Sequence, residues 1–223
     1  MIHLKQTWAT LAAICLISVL FTSCGKKTSD DPNPDDSKTT STSYQPLTVN
    51  STWTYLTDYP TTDNVVLTAT ASTQTFNNKA YTVVQSKGAK LGSQNQYFYN
   101  ANHLYNYRVP IDGMGTIDFT YLNDNAAVNA TWKANVTDNG SLNGIPAQMT
   151  GTITEKGITK TVSGKQYTDV IHTTILLQYN VASTYTTFAT YEFYVAKGIG
   201  IIEMDSSTFG LTSTLKLQSY QIK

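Results

Sequence analysis

Few side chains in this 223-residue chain have the type and spacing that acid–base or nucleophilic chemistry requires. Once a leader ending at Ser23 is removed, two histidines remain, His103 and His172. Asp169 and His172 are three apart in an extended segment, so alternation puts them on opposite faces rather than in an acid–base pair. His103 follows Asn102 in a turn, the setting of a solvated residue. Glycosidase chemistry needs two carboxyls facing each other. Only Glu192 and Glu203, on segments joined through 197–200, have a local reason to approach. Asn123-Asp124-Asn125 offers oxygens but lacks the other positions of a calcium loop, so it reads as a polar turn. No H-E-x-x-H, G-x-S-x-G, Walker or Rossmann pattern occurs. Neither a catalytic residue, a metal site nor a cofactor is expected.

The pattern with more content is aromatic. Tyr97, Phe98, Tyr99, Tyr105 and Tyr107 fall within eleven residues, and a second group contains Tyr191, Phe193 and Tyr194. In a strand Tyr97 and Tyr99 share a face and Phe98 takes the other. If the phenylalanine faces form the core, Tyr97, Tyr99, Tyr105, Tyr107 and Tyr191 are left to line a binding surface. Tyrosines on a rigid sheet combine apolar area with a hydroxyl, suiting a glycan, a lipid-like molecule or a protein partner.

The elements that must position these residues are strands. From Tyr44 onward no helical stripe is visible. Thirteen segments alternate or carry strand-forming residues, among them Thr52–Thr57, Gln96–Asn100, Leu104–Val109, Thr116–Leu122, Ala147–Thr154 and Gly157–Val162. Asn77-Asn78, Asp112-Gly113, Asn139-Gly140 and Asn143-Gly144 supply turns. The expected fold is all-β: a curved antiparallel sheet or open barrel in one domain, 44–223, with a two-sheet sandwich as the alternative. Val49-Asn50-Ser51-Thr52-Trp53 recurs as Val128-Asn129-Ala130-Thr131-Trp132. Asn78-Lys79-Ala80-Tyr81-Thr82 is echoed by Gly164-Lys165-Gln166-Tyr167-Thr168. These echoes suggest two related halves, about 44–125 and 126–223, with both tryptophans leading strands into the core and a hairpin at 147–162 inserted in the second half.

Charge is balanced, 15 Lys and Arg against 15 Asp and Glu, with Arg108 the one arginine. No basic footprint for nucleic acid is present. At the N-terminus, Lys5 precedes the apolar run Trp8–Phe21 and small residues, the layout of a secretory signal over 1–23. Residues 24–43, rich in Ser, Thr, Asp and Pro, read as a flexible tether.

Phe21-Thr22-Ser23-Cys24 resembles the lipobox of bacterial lipoproteins, with Phe21 where Leu is usual. The resemblance implies acylation of Cys24 and membrane anchoring through it. Ser29-Asp30-Asp31 resembles the acidic export signal of surface-exposed lipoproteins in Bacteroidetes-type bacteria, which implies an outer-membrane location facing outward; facing the periplasm is the alternative. Thr52-Trp53-Thr54-Tyr55 and Tyr194-Val195-Ala196-Lys197-Gly198-Ile199-Gly200-Ile201-Ile202 resemble uncharacterised β-rich bacterial lipoproteins carrying W-x-Y and Y-x-A-x-G-[IV]-G motifs. The function expected is that of a non-catalytic, lipid-anchored envelope protein with a tyrosine-rich binding face. A structural subunit of an envelope complex is the alternative and a glycan-active hydrolase the third reading.

Overall fold

The structure, a computed structural model, describes residues 41–111 and 115–223. Cys24, its flanking signal and most of the tether lie outside the described residues. The described chain is all-β. Its strands are β1 (Thr52–Thr57), β2 (Asp63–Phe76), β3 (Lys79–Gly88), β4 (Gly92–Ala101), β5 (Leu104–Ile111) and β6 (Gly115–Asn123). They continue with β7 (Thr131–Asn135), β8 (Ser141–Leu142), β9 (Ile145–Val162), β10 (Lys165–Val181), β11 (Thr184–Ala196), β12 (Gly200–Thr208) and β13 (Leu211–Gln221). The order across the sheet is β6-β5-β4-β3-β2-β1-β13-β12-β11-β10-β9-β7, with β8 on β9, and every pairing is antiparallel.

Two meanders thus run in opposite directions from the β1–β13 join and curl into a nearly closed barrel. The β6 edge closes on β7, on the residue after it and on β10 through isolated contacts rather than a ladder. Asp118 N–H donates to Val136 O (2.9 Å), Trp132 Nε1–H to Thr120 O (3.0 Å) and Thr173 Oγ1–H to Tyr121 O (2.7 Å). Side chains therefore satisfy edge carbonyls that would otherwise be open to another strand.

Alternation explains the interior. Trp53, Leu67, Ala69, Val84, Phe98, Phe119, Ile175 and Phe193 all point inward and are buried. Aromatic contacts run across the space: Phe98 stacks on Tyr107 at 4.8 Å, Phe119 meets Tyr191 at 4.8 Å, and Tyr121 stacks on Phe193 at 5.4 Å.

The two sequence motifs near the ends of the domain meet here. Trp53 Nε1–H donates to Ile199 O (2.6 Å) and Tyr55 O–H to Ile201 O (2.7 Å). Two aromatic side chains on the inward face of β1 thus cap the carbonyls of Ile199, in the glycine-rich turn, and Ile201, at the start of β12. Gly200 (φ 116) leaves room for the buried Gln45 amide, which a Cβ would approach to 2.9 Å. Gly198 N–H bonds Ser43 O and Asn100 Nδ2–H bonds Gln45 O, fastening the end of the tether to the barrel at this turn.

Asn50 and Asn129 both adopt φ 68. Each begins the same set of bonds: Asn50 N–H to Ala69 O and Ala69 N–H to Ser51 O, matched by Asn129 N–H to Ile153 O and Ile153 N–H to Ala130 O. Trp53 is buried, whereas Trp132 is only half-buried because it stands at the open seam over Gly151, where a Cβ would overlap its ring. The expected hairpin at 147–162 is instead the single strand β9. Gly157 (φ 70) is the extra residue of a bulge opposite Val170 and Ile171, so its turn-like chemistry bends the strand without ending it.

Candidate functional site

The outer face of β3–β6, turned away from the barrel interior, holds a cleft of about 200 Å³. Period-two alternation brings Tyr81 from β3, Tyr97 and Tyr99 from β4, Asn106 and Arg108 from β5, and Asp118 and Thr120 from β6 onto this face. The β2–β3 turn adds Asn77 and the start of β3 adds Lys79; the end of β7 adds Asn135 and the chain after it Thr137 and Asp138.

Arg108 anchors the floor. Its Nη1 and Nη2 donate to the two carboxylate oxygens of Asp138, each at 2.6 Å, and Nη1 lies 3.6 Å from Asp118. The guanidinium is 4.1 Å from the centre of the Phe76 ring. This two-bonded pairing holds Asp138 below the usual carboxylate range, against a smaller opposing effect of burial. Asp118 accepts from Tyr81 O–H (2.6 Å) and Asn106 Nδ2–H (3.1 Å). Burial, reinforced by that bond, pushes the Tyr81 phenol well up. Asn77 Nδ2–H completes Asp138 at 2.7 Å. Asn106 Oδ1 and Arg108 Nε are buried without a hydrogen-bond partner among the described residues. At the rim, Tyr99 leans on Tyr81 with ring centres 5.5 Å apart, and Lys79 Nζ lies 5.3 Å from the Tyr99 ring centre. The result is a polar floor with fixed carboxylates, a half-exposed ring and a cation beside it. Both floor carboxylates are committed to cations and donors.

The tyrosines expected to share one binding face are divided. Tyr97 and Tyr99 are half-buried on the outer face, as alternation with Phe98 required; Tyr97 packs edge-on against Phe76 at 5.0 Å. Tyr107 and Tyr191 face the interior, where burial raises both phenols. Tyr105 is buried beneath Tyr44 and donates to Asp124 at 2.9 Å. Tyr191 shares its face with Phe193, so the rule that made phenylalanine faces the core also carries Tyr191 inward.

A second polar cluster lies on the outer face of β9–β12. His172 Nδ1 is 3.0 Å from Glu155 and Nε2 is 2.7 Å from Glu192, and the ring stacks on Tyr194 at 4.2 Å. Lys160 Nζ sits 3.5 Å from the Tyr194 ring centre and 3.4 Å from Glu203. Glu192 and Glu203 therefore engage different partners, His172 and Lys160, and Glu192 also accepts from Thr174 (2.7 Å). Burial of Asp205, with repulsion from Glu203, raises its carboxyl. The Asp169–His172 parity argument loses its premise, because Asp169 (φ 52) lies in a bulge between Tyr167 and Val170. His103 is exposed and pairs with Asp124 at 2.6 Å; Asn125 N–H closes the polar turn on Asn123 Oδ1.

For His172, burial opposes the charged ring, but the two glutamates outweigh it and its pKa rises above 6.5. Folding therefore favours the protonated form. The added stability is complete below the unfolded pKa and fades as pH rises through the folded one. In urea melts the stability gap between the native chain and His172→Gln is expected to be larger at about pH 5.5 than at about pH 8.5. A gap independent of pH would show that the clasp binds the neutral ring equally well.

Arg108, Asp118, Asp138, Tyr81 and Asn106 were not among the sequence-derived candidates. One signal could have found the first two: the Asp112-Gly113 turn motif in the sequence lies midway between Arg108 and Asp118, which β5 and β6 pair directly.

No protein-family model and no curated protein matches the chain. Among solved structures, a protein provisionally named a lipoprotein from Parabacteroides distasonis ATCC 8503 aligns with a TM-score of 0.48 at 10% identity, over 81% of this chain and 99% of its own. A provisionally named exported protein with a YmcC-like fold from Bacteroides fragilis NCTC 9343 aligns with a TM-score of 0.47 at 10% identity, over 79% of this chain and 97% of its own.

Proposed function

We propose that this chain is a non-catalytic envelope protein, anchored in the outer membrane through acylated Cys24, that binds a glycan in the outer-face cleft between Tyr99 and Asp138. The lipobox-like Phe21–Cys24 supports the anchor, and the acidic Ser29–Asp31 supports outward display. The observation that carries the binding reading is the cleft: an aromatic ring and a lysine at the rim above a pre-ordered floor of carboxylates and amides. Sugars offer one apolar face for the ring and hydroxyls for the floor, and pre-ordering lowers the entropic cost of binding. A lipid-like cargo is disfavoured by the aromatic packing through the interior. A docking role in an envelope assembly is the second reading. The equivalent bonds at Asn50 and Asn129 support an origin from two related halves.

A glycan array probed with the full chain in detergent, alongside Tyr99→Ala, tests this. Specific retention that Tyr99→Ala weakens at least about tenfold, roughly 1.4 kcal/mol, is expected. Retention of no glycan would remove the reading.

A further inference from the structure

Among the described residues the four most exposed large apolar side chains, Phe209, Leu211, Tyr59 and Val181, lie at one end of the barrel, whereas Val49 and Val128 lie exposed at the other. The tether joins at the Val49 and Val128 end, beside the β11–β12 turn, through Ser43 and Gln45. At the far end, the β12–β13 turn carries Phe209 (76% exposed) and Leu211 (69%). The neighbouring β10–β11 turn carries Val181 (57%) and Tyr185 (41%), and the β1–β2 and β3–β4 turns add Tyr59 (61%) and Leu91 (40%). Phe209 occupies a left-handed turn position (φ 49), where glycine or asparagine costs least and a bulky ring is disfavoured. No charged residue occurs in 181–187 or 206–213; these stretches are otherwise Ser, Thr, Ala and Gly. Two carboxylates at this end are tied down: Asp58 accepts from Thr214 N–H (2.7 Å), and Asp63 from Lys90 and Leu91 N–H (2.8 and 3.0 Å).

We propose that this rim rests in the headgroup boundary of the lipid bilayer that carries the chain's own anchor, giving the domain a second membrane contact. The proposal builds on acylation of Cys24. Apolar tips on separate turns, flanked by tyrosines and uncharged hydroxyl residues, match an interface that takes side chains at different depths, with amphipathic rings at headgroup level. Reach permits it. The 19 residues from Cys24 to Thr42 span roughly 65 Å when extended. The 13 residues of β11 measure roughly 44 Å. Confinement by the anchor also supplies a high effective concentration, so a modest interfacial affinity suffices. The bound domain then lies with its tether folded back along the barrel, and the wall bearing the cleft stays accessible.

The test places tryptophan at the rim (Phe209→Trp) or at the tether end (Val128→Trp, at a residue 46% exposed). Each is made in the full chain, with and without Cys24→Ser, and mixed with 3:1 phosphatidylethanolamine–phosphatidylglycerol vesicles containing brominated acyl chains. After subtraction of the native chain's emission from Trp53 and Trp132, the signal added at position 209 is expected to shift blue and be quenched, with that added at position 128 unchanged. Cys24→Ser should require roughly 100-fold more lipid for the same quenching. Vesicle-bound protein with no quenching at 209, or quenching at 128 instead, overturns the rim contact. Quenching at 209 with the same lipid requirement with and without Cys24→Ser retains the rim and refutes the anchor. Dimerisation abolished by Phe209→Asp, without lipid quenching at 209, would assign the rim to a second copy and overturn the proposal.

Discussion

Replacing Trp53 with alanine is expected to destabilise the domain by about 4 kcal/mol, the middle of the range for a buried aromatic truncated to a methyl group. Trp53 is 1% exposed and sits where β1 joins the two meanders, between Leu67 on β2 and Tyr220 on β13. The change removes a large ring from the interior and leaves the Ile199 carbonyl without its 2.6 Å donor. Both losses fall on the motif that also holds Ser43 and Gln45, so the tether end should loosen with the core. Trp53→Phe separates the two contributions. It keeps most of the packing but not the donor and should cost about 1–3 kcal/mol, the range for an unpaired buried polar group. Urea unfolding followed by far-UV circular dichroism measures both; a Trp53→Phe chain as stable as the native one would show that the Ile199 bond contributes nothing.

Arg108→Met is expected to cost about 2–3 kcal/mol. Breaking a buried ion pair by removing one partner costs about 3–5 kcal/mol. The lower figure reflects Asp138, whose side chain is 49% exposed and recovers part of its hydration, while Asp118 at 15% recovers less. For a domain of this size the melting temperature should fall by roughly 4–12 °C. Methionine retains contact with Phe76, so the loss reports charge pairing rather than volume. Restoring stability by adding Asp138→Asn to Arg108→Met would verify the cause. A variant melting like the native chain would remove the floor from the account of the cleft.

Strand positions were readable because alternation and turn residues act locally. Thr52–Thr57 coincides with β1, and Asn50 and Asn129 adopt the left-handed conformation their place before a tryptophan strand suggested. Bulges blurred the rest. Gly157 has the chemistry of a turn but bends β9 without ending it. The β1–β13 join and the side-chain-closed β6–β7 seam depend on residues far apart in sequence, which local pattern cannot pair. The tyrosine face failed for a related reason. Closing a sheet gives each strand an interior wide enough for tyrosine as well as phenylalanine, and Tyr55, Tyr107 and Tyr191 occupy it beside Phe98, Phe119 and Phe193. Only Tyr97 and Tyr99, opposed residue by residue to Phe98, could be placed outside by alternation alone.

The most direct measurement is the dissociation constant of the strongest array glycan for the native chain, Tyr99→Ala and the interior variant Tyr107→Phe, by titration calorimetry. Binding in the outer-face cleft predicts at least a tenfold weakening, roughly 1.4 kcal/mol, for Tyr99→Ala and no change for Tyr107→Phe. Equal affinity for the native chain and Tyr99→Ala would contradict it.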